Sequence, residues 1–188
     1  MMSDLLILAF DTSAAHCAAA LLRGDAVLAA RAEEMGRGQA ERLMPLLEEL
    51  LAEGGATWGD LDRIAVGIGP GNFTGIRISV STARGLALGL GKPAMGISTF
   101  EAIHLDAPDA LAGVPAPRGQ IYVQRHWGTP ELAPAEGTEA VLPPKPRELA
   151  IRIARAAAVK EPGQRPAPLY IRPADAAPSR DAAPRLLD

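Results

Sequence analysis

Proline divides this sequence into two parts that differ in folding capacity. Fourteen of the 17 prolines lie at or after Pro108, and proline is excluded from helix interiors and from central strands. We therefore expect residues 1–107 to form a regular domain. Residues 108–188 are expected to be loop-rich with short elements and to end in a Pro/Ala-rich tail that is poorly ordered after Pro173.

Apolar patterning in the first part predicts a mixed sheet with helices on its faces. Three consecutive strands form an antiparallel meander, and the strands that follow across helices are parallel. The predicted elements are strands Leu5–Phe10, His16–Arg23 and Ala26–Glu33, helix Gln39–Glu53, strand Arg63–Ile68, helix Phe73–Leu90, strand Ala94–Ile97 and helix Thr99–Leu105, which starts behind the N-cap Ser98. Beyond Pro108 the patterning predicts strand Gln120–Trp127, helix Arg147–Val159 and an extended piece Leu169–Arg172.

The segment Gly67–Gly85, GIGPGNFTGIRISVSTARG, predicts a glycine-rich loop that leads into a helix. It completes neither the Walker nor the dinucleotide fingerprint. Its backbone amides either hold an anion at the helix N-terminus, or its glycines only shape a tight turn with Asn72 or Thr74 as N-cap. The acid of the FDTS motif, Asp11, likewise either faces a phosphate or metal or simply bonds turn amides.

Two helices have more apolar or small surface than one packing contact needs. The leucine-rich helix 39–53 exceeds the roughly 100° apolar stripe of an ordinary surface helix, and Pro45 should bend it or mark its first turn. The helix 73–90 has a second stripe of almost entirely small residues, which lets another helix approach closely: Gly75, Ser79, Thr82, Leu86 and Gly89. That other helix is either the segment 39–53 or part of a partner chain.

Other catalytic or membrane signals are weak. The histidines lack zinc-binding spacing, no GxSxG elbow occurs, and Cys17 lies in an apolar run that favours an inert core thiol. The net charge of −3 provides no overall basic field for nucleic acid. The apolar run near the N-terminus is too short to span a bilayer, so we expect a soluble cytoplasmic protein that does not bind membranes.

Four motifs, in this order, resemble the TsaB (YeaZ) family of bacterial proteins. That family is needed to make threonylcarbamoyladenosine in tRNA and was once labelled glycoprotease. The motifs are FDTS at 10–13, QAERLMPLL at 39–47, GIGPGNFTGIRISVSTARGLALG at 67–89 and GISTFEAI at 96–103.

The resemblance implies an actin-like ATPase (ribonuclease H-like) fold in the α/β class, with a reduced second domain. It implies a non-catalytic subunit that binds and stabilises TsaD, works with TsaE, and leaves ATP and metal to partner subunits; no catalytic or metal-binding residue is expected here. The vestigial nucleotide-binding positions would be Asp11, Thr12, Ser13, Gly69, Gly71, Asn72 and Thr74. The partner interface would comprise Leu43, Met44, Leu47, Leu51, Gly75, Ser79, Thr82 and Leu86.

Several alternatives stay open from the residues alone. An autonomous ATPase or kinase-like transferase would use Asp11 and the loop 67–75, and a glycoprotease-type peptidase would need a nucleophile and base that the sequence does not display. A homodimer would use the same two helices. Residues 145–188 hold an excess of basic side chains, which is compatible with an indirect or weak tRNA contact.

Overall fold

The structure is a computed structural model that describes residues 4–171. Its first sheet consists of β1 (Leu6–Asp11), β2 (His16–Arg23), β3 (Ala26–Glu34), β4 (Arg63–Gly67) and β5 (Ala94–Ile97). The strand order is β3-β2-β1-β4-β5. The first three strands pair antiparallel, whereas β4 pairs parallel with both β1 and β5. The predicted mixed sheet is confirmed.

Helices cover both faces of this sheet: α1 (Gln39–Glu53), α2 (Phe73–Leu90), α3 (Thr99–His104) and α4 (Pro146–Val159). Alternate residues of β1 point to opposite faces, as the strand period requires. Leu6, Leu8 and Phe10 pack in the core beneath α1 and α2, and Ile7 and Ala9 pack in the core with α4. The continuous apolar run of β1 therefore reflects a central strand that is buried on both sides.

The last of these helices, α4, comes from the proline-rich part of the chain but packs on the first sheet. Leu149, Ile153 and Ala157 of α4 are buried in the same core as Ile7. Pro146 occupies the first position of the helix, where its missing N–H has no helical partner to lose. The domain boundary near residue 107 stays a prediction.

The helix ends follow the capping residues in the sequence. The Asn72 side chain accepts a hydrogen bond from the Gly75 N–H, which makes Asn72 and not Thr74 the N-cap of α2. Ser98 caps α3 in a reciprocal capping box with Glu101, as predicted. Pro45 lies inside α1, beyond its first turn and on its exposed side, so the first-turn alternative is wrong.

A second, antiparallel sheet is formed by β6 (Ala112–Ala116), β7 (Gln120–Gln124) and β8 (Glu131–Pro134). The two outer strands were not predicted because they contain proline, which edge strands tolerate. The predicted strand 120–127 is too long, because a turn closed by the Gly128 N–H and the Arg125 carbonyl (2.8 Å) ends the pairing.

The last described residues lie beside the segment that follows β4. The predicted extended piece is not assigned as a strand, although the Leu169 N–H donates to the Ile68 carbonyl at 2.8 Å. Arg172 and the tail after Pro173 lie outside the described residues. Within residues 4–171, none of the helices combines the length and hydrophobicity needed to cross a membrane.

Candidate functional site

Two loops meet at the carboxyl end of β1 and β4. The turn after β1 begins with Thr12 and Ser13, and the loop after β4 leads into α2. The Asn72 N–H donates to the Ser13 carbonyl at 2.6 Å, and the Thr12 hydroxyl donates to the Gly75 carbonyl at 2.7 Å. The glycine-rich loop after β4, one of whose predicted roles was to hold an anion on its backbone amides, is therefore bonded in part to the turn after β1.

Glycine is required at two positions because these loops approach so closely. A Cβ atom at Gly71 would overlap the Ser13 carbonyl oxygen, and one at Gly75 would overlap the Thr12 carbonyl oxygen. Such overlaps involve backbone atoms, which cannot move aside as a flexible side chain can. The tight-turn interpretation of these two glycines is therefore sufficient to explain them.

The carboxylate of Asp11 is fully buried and is used within the chain. Its Oδ2 accepts from the Ser13 N–H at 3.1 Å and the Ser13 hydroxyl at 2.9 Å, and it lies 2.7 Å from His16 Nε2. Its Oδ1 lies against Gly67 and has no hydrogen-bond partner among residues 4–171. The interpretation of Asp11 as a residue that bonds turn amides is confirmed.

This burial corrects part of the predicted nucleotide site. The side chains of Asp11 and Thr12 are both 0 % exposed, so neither reaches a ligand in this conformation, because the adjoining loop covers them. Gly69 is also buried, whereas Gly71, Asn72 and Thr74 are exposed. Ser13 lines a cleft, described next, and nucleotide binding by the exposed positions stays a prediction.

A cleft of about 500 Å³ separates these loops from the second sheet and the start of α4. Ser13, His16 and Asn72 line one side, while Tyr122 and Leu149 lie on the other. Six of the described lining residues are proline: Pro70, Pro115, Pro117, Pro143, Pro144 and Pro146. None of the described lining residues is lysine, arginine, aspartate or glutamate.

The cleft chemistry is unsuited to a polyphosphate. Phosphate oxygens are held by backbone N–H groups and by cationic side chains, and proline has no N–H to donate. The wall opposite the glycine-rich loop is dominated by prolines, so it offers few donors and no cation. The cleft better fits an uncharged, largely apolar occupant.

A peptidase constellation is not formed either. Ser13, His16 and Asp11 lie together, but the Ser13 hydroxyl donates to Asp11, and no hydrogen bond joins Ser13 to His16 among the described residues. A serine nucleophile needs the histidine as its base. Cys17 is buried, and desolvation, with a smaller effect of Glu33, raises the pKa of its thiol to about 11. The prediction of a buried core thiol is confirmed.

Potential metal ligands are also scattered. Within the described part of the chain, no group of three or more His, Cys, Asp or Glu side chains is close enough to hold an ion. His104 and His126 lie together, but in a ring stack at the second sheet.

The predicted partner interface on α1 is wrong for three of its residues. Leu43, Leu47 and Leu51 are at most 3 % exposed and pack in the core of this chain. Met44 is partly buried and packs against the same core. The wide apolar arc of α1 is thus used by the chain's own sheet and by α2.

The small-residue stripe on α2 is also turned inward at its start. Gly75 and Ser79 are buried, and the Ser79 hydroxyl donates to the Gly67 carbonyl at 3.2 Å. Thr82 and Leu86 are partly buried, and Leu86 packs against the core. At Gly75 and Ser79 the stripe therefore serves close approach of α2 to the chain's own loops, and not to the helix 39–53 or to a partner helix, which were the two alternatives that the sequence left open.

A different face of α2 is open. We define the open α2 face as Ser81, Gly85, Leu88 and Gly89, all of which are exposed. Leu88 is 83 % exposed, and apart from the adjoining residues and backbone of α2 itself, no described atom lies within 4 Å of a Cβ placed at Gly85 or Gly89. The signal was present in the sequence as the four-residue spacing of Ser81, Gly85 and Gly89, but the inward stripe obscured it.

A cationic pocket of about 540 Å³ adjoins the open α2 face at the carboxyl end of the helix. Arg84, Lys92 and Arg165 line it together with Leu88, and none of the described lining residues is acidic. None of these three cations forms an ion pair within residues 4–171. The pocket is thus a local positive region on a chain of net charge −3.

The strand order, the paired loops at the ends of β1 and β4, and the cleft beside them place the chain in the class of actin-like ATPase folds. The protein family described as "TsaD: tRNA N6-adenosine threonylcarbamoyltransferase" matches residues 32–164. The chain belongs to this TsaD-related family and, within it, to the TsaB (YeaZ) group. The predicted fold class and family are confirmed.

Two TsaB proteins of other bacteria support this placement. The tRNA threonylcarbamoyladenosine biosynthesis protein TsaB of Escherichia coli K12 is 34 % identical over 146 residues, which is 74 % of this chain and 63 % of that protein. The TsaB of Bacillus subtilis is 37 % identical over 120 residues, which is 62 % of this chain and 52 % of that protein. This chain thus spans between about half and just under two thirds of the length of these relatives.

A solved structure gives the same result at the level of the fold. YeaZ from Pseudomonas aeruginosa superposes with a TM-score of 0.71 at 26 % identity, covering 89 % of this chain and 100 % of the other.

Proposed function

We propose that this chain is a non-catalytic scaffold subunit in the biosynthesis of threonylcarbamoyladenosine in tRNA, and that it binds and stabilises a TsaD subunit. The observation that carries the proposal is the open α2 face. The proline-lined cleft supports the non-catalytic part, because it offers no cation for a nucleotide. The names of the TsaB relatives support the biosynthetic role.

The open α2 face has the composition of a helix-packing surface. Glycine and serine at positions 81, 85 and 89 allow the backbone of a second helix to approach, and Leu88 offers an apolar side chain to bury. Burying a leucine contributes about 1.5–3 kcal/mol, whereas glycine in an exposed helix interior costs about 1 kcal/mol relative to alanine. No other part of the described chain contacts Gly85 or Gly89, so a partner helix packed on this face would account for glycine at both positions.

The cationic pocket defines the partner further. The pKa of Asp60 is lowered mainly by its hydrogen bonds with Thr57, and the charge of Lys92 makes a smaller contribution in the same direction. Arg84 and Arg165 form no ion pair with any residue in the range 4–171. We expect the TsaD surface to bring an acidic side chain to this pocket, beside the helix that covers Leu88.

The remaining parts of the proposal concern the assembly. ATP and a metal ion would bind partner subunits, with TsaE joining the larger complex in the cytoplasm. The tRNA contact of this chain would be weak, since its net charge of −3 provides no overall basic field. The same α2 face could instead join two copies of the chain when TsaD is absent.

The test is co-purification of this chain with TsaD from the same genome. Gly85→Trp places a large ring on the open α2 face and should abolish the complex, while Gly85→Ala, the matched control, should retain it. Both variants should keep the wild-type fold by circular dichroism, since the position is open. A complex that survives Gly85→Trp would contradict this interface.

Calorimetric titration with ATP and Mg²⁺ separates the scaffold from an autonomous ATPase or kinase-like transferase. We expect no binding tighter than the millimolar range and no hydrolysis by the isolated chain. Turnover of ATP that is lost in Asn72→Ala, at an exposed loop residue, would refute the non-catalytic assignment. Sedimentation of the chain alone tests whether it forms a homodimer.

A further inference from the structure

Three aromatic rings stack between α3 and the turn that joins β7 to β8, and none of them lines the cleft or belongs to the open α2 face. The His104 and His126 ring centroids are 5.0 Å apart with 28° between the planes. The His126 and Trp127 centroids are 4.7 Å apart with 17° between the planes. Trp127 ends the stack and is 93 % exposed, so its outer face is open to solvent.

The backbone holds Trp127 in a conformation that favours glycine. Its φ is 63°, and the hydrogen bond from the Gly128 N–H to the Arg125 carbonyl makes it the third residue of a four-residue turn. A positive φ at that position normally selects glycine or asparagine, and for a bulky residue it is an outlier. A large apolar ring thus occupies a position where the backbone favours glycine and where the ring is exposed to water.

The inner end of the stack is anchored in the protein. His104 belongs to α3, is 6 % exposed, and has its Nε2 3.3 Å from the Ala110 carbonyl oxygen. Its neighbours on the same helix, Phe100 and Ile103, are fully buried. The stack therefore holds the Trp127 ring in a fixed orientation. Less conformational entropy is then lost when a ring from another molecule stacks on Trp127.

We infer that Trp127 is a stacking platform for an unpaired base of RNA, an inference that rests on the proposed role in tRNA modification. A flat ring at the end of a nearly parallel stack offers one more π-face, and bases stack on aromatic side chains with little dependence on sequence. Arg125 is exposed beside the platform and has no ion pair among residues 4–171, so it can meet the phosphate. Asp106, two residues after His104, already has a cationic partner, because its carboxylate pairs with Arg152 at 2.7 Å.

The experiment uses the fluorescence of Trp127 in a Trp58→Phe background, which removes the other of the two tryptophans. The full chain is titrated with an unmodified tRNA transcript, a short single-stranded RNA, and an RNA duplex of equal length. We expect quenching by the first two RNAs and much less by the duplex, whose bases are already paired.

Variants then separate stacking from charge and from folding. In a filter-binding assay, Trp127→Ala should weaken single-stranded RNA binding roughly five- to hundredfold with little change in salt dependence, and Arg125→Ala should lower the salt slope by about one. Trp127→Gly should lose RNA binding equally yet raise Tm by about 2–4 °C, because glycine relieves the positive φ. Val159→Ala, at an exposed apolar residue of α4, should leave RNA binding unchanged.

Three results would overturn the platform: no quenching by any RNA, equal quenching by duplex and single strand, or wild-type RNA affinity in Trp127→Ala. Loss of the TsaD complex in Trp127→Ala, with RNA binding unaffected, would instead assign the ring to a protein interface and also refute the inference. The co-purification test with Gly85→Trp is independent of this residue. The scaffold proposal can therefore stand or fail separately.

Discussion

Two glycines on the same helix should respond in opposite ways to the same added methyl group. Gly75 and Gly85 both lie in α2. A Cβ at Gly75 would overlap the Thr12 carbonyl oxygen and come within 3.1 Å of the Thr12 carbonyl carbon, whereas a Cβ at Gly85 would have no described atom within 4 Å outside the adjoining residues and backbone of α2. Comparing Gly75→Ala with Gly85→Ala therefore separates the energetic cost of disturbing the close contact between α2 and Thr12 from the difference in helix propensity between glycine and alanine.

The expected difference follows from three contributions. Alanine stabilises an exposed helix interior by about 0.5–1 kcal/mol relative to glycine, and this should be the whole effect at Gly85. At Gly75 that gain is outweighed by an overpacking cost of about 1–3 kcal/mol. Separating α2 from Thr12 also strains the 2.7 Å hydrogen bond from the Thr12 hydroxyl to the Gly75 carbonyl, which is worth about 1 kcal/mol.

The net prediction for Gly75→Ala is a loss of about 1–3 kcal/mol in the free energy of unfolding, so the two variants should differ by about 2–4 kcal/mol. Urea denaturation measures this, at a protein concentration low enough to exclude self-association through the open α2 face. Equal denaturation midpoints for the two variants would refute the account of the paired loops, since the helix would then have moved at no cost.

Three further predictions concern buried or capping groups. Burial raises the pKa of the Cys17 thiol from 9.0 to about 11, so iodoacetamide should label the native chain very slowly at pH 8. The stabilisation from the neutral thiol is fully present below pH 9 and is lost as the pH rises through 11. Labelling should accelerate in the same pH range. Asn72→Ala removes the N-cap of α2 and should lower the free energy of unfolding by about 1 kcal/mol in urea titrations. Asp11→Ala should lower it by about 1–3 kcal/mol, because it leaves His16 and Ser13 without their buried acceptor, and a wild-type midpoint would show that this cluster is not structural.

The regular elements of the first domain were predictable because their signals are local. The apolar run of β1, the turn between β2 and β3, and the caps Asn72 and Ser98 each act within a few residues. The strands β6 and β8 were not predicted, because their prolines argue against a strand unless the strand lies at an edge. Whether a strand is an edge is a property of the whole sheet, and the local sequence does not contain it.

The candidate site was predicted less well for a related reason. The small residues of α2 indicated a close contact, but both an internal and an external contact require small side chains. Gly75 faces the chain's own Thr12, while Gly85 faces solvent, and only the rotation of α2 on the sheet distinguishes them. Similarly, the sequence indicated a polar Asp11 at a strand end, but not that Ser13 and His16 would saturate one of its oxygens.

The prolines that separate the two parts of the sequence also determine what the cleft between them can do. Restoring a phosphate site would require N–H donors on the second wall, and single substitutions at Pro115 or Pro117 would each return one donor at the end of β6. They would not supply a cation, since none of the described residues that line the cleft is lysine or arginine. Asp11 would in addition have to leave His16, at the cost of a buried contact of 2.7 Å. Several coordinated changes would therefore be needed before this cleft could bind a nucleotide. The open α2 face needs no change to pack against a helix.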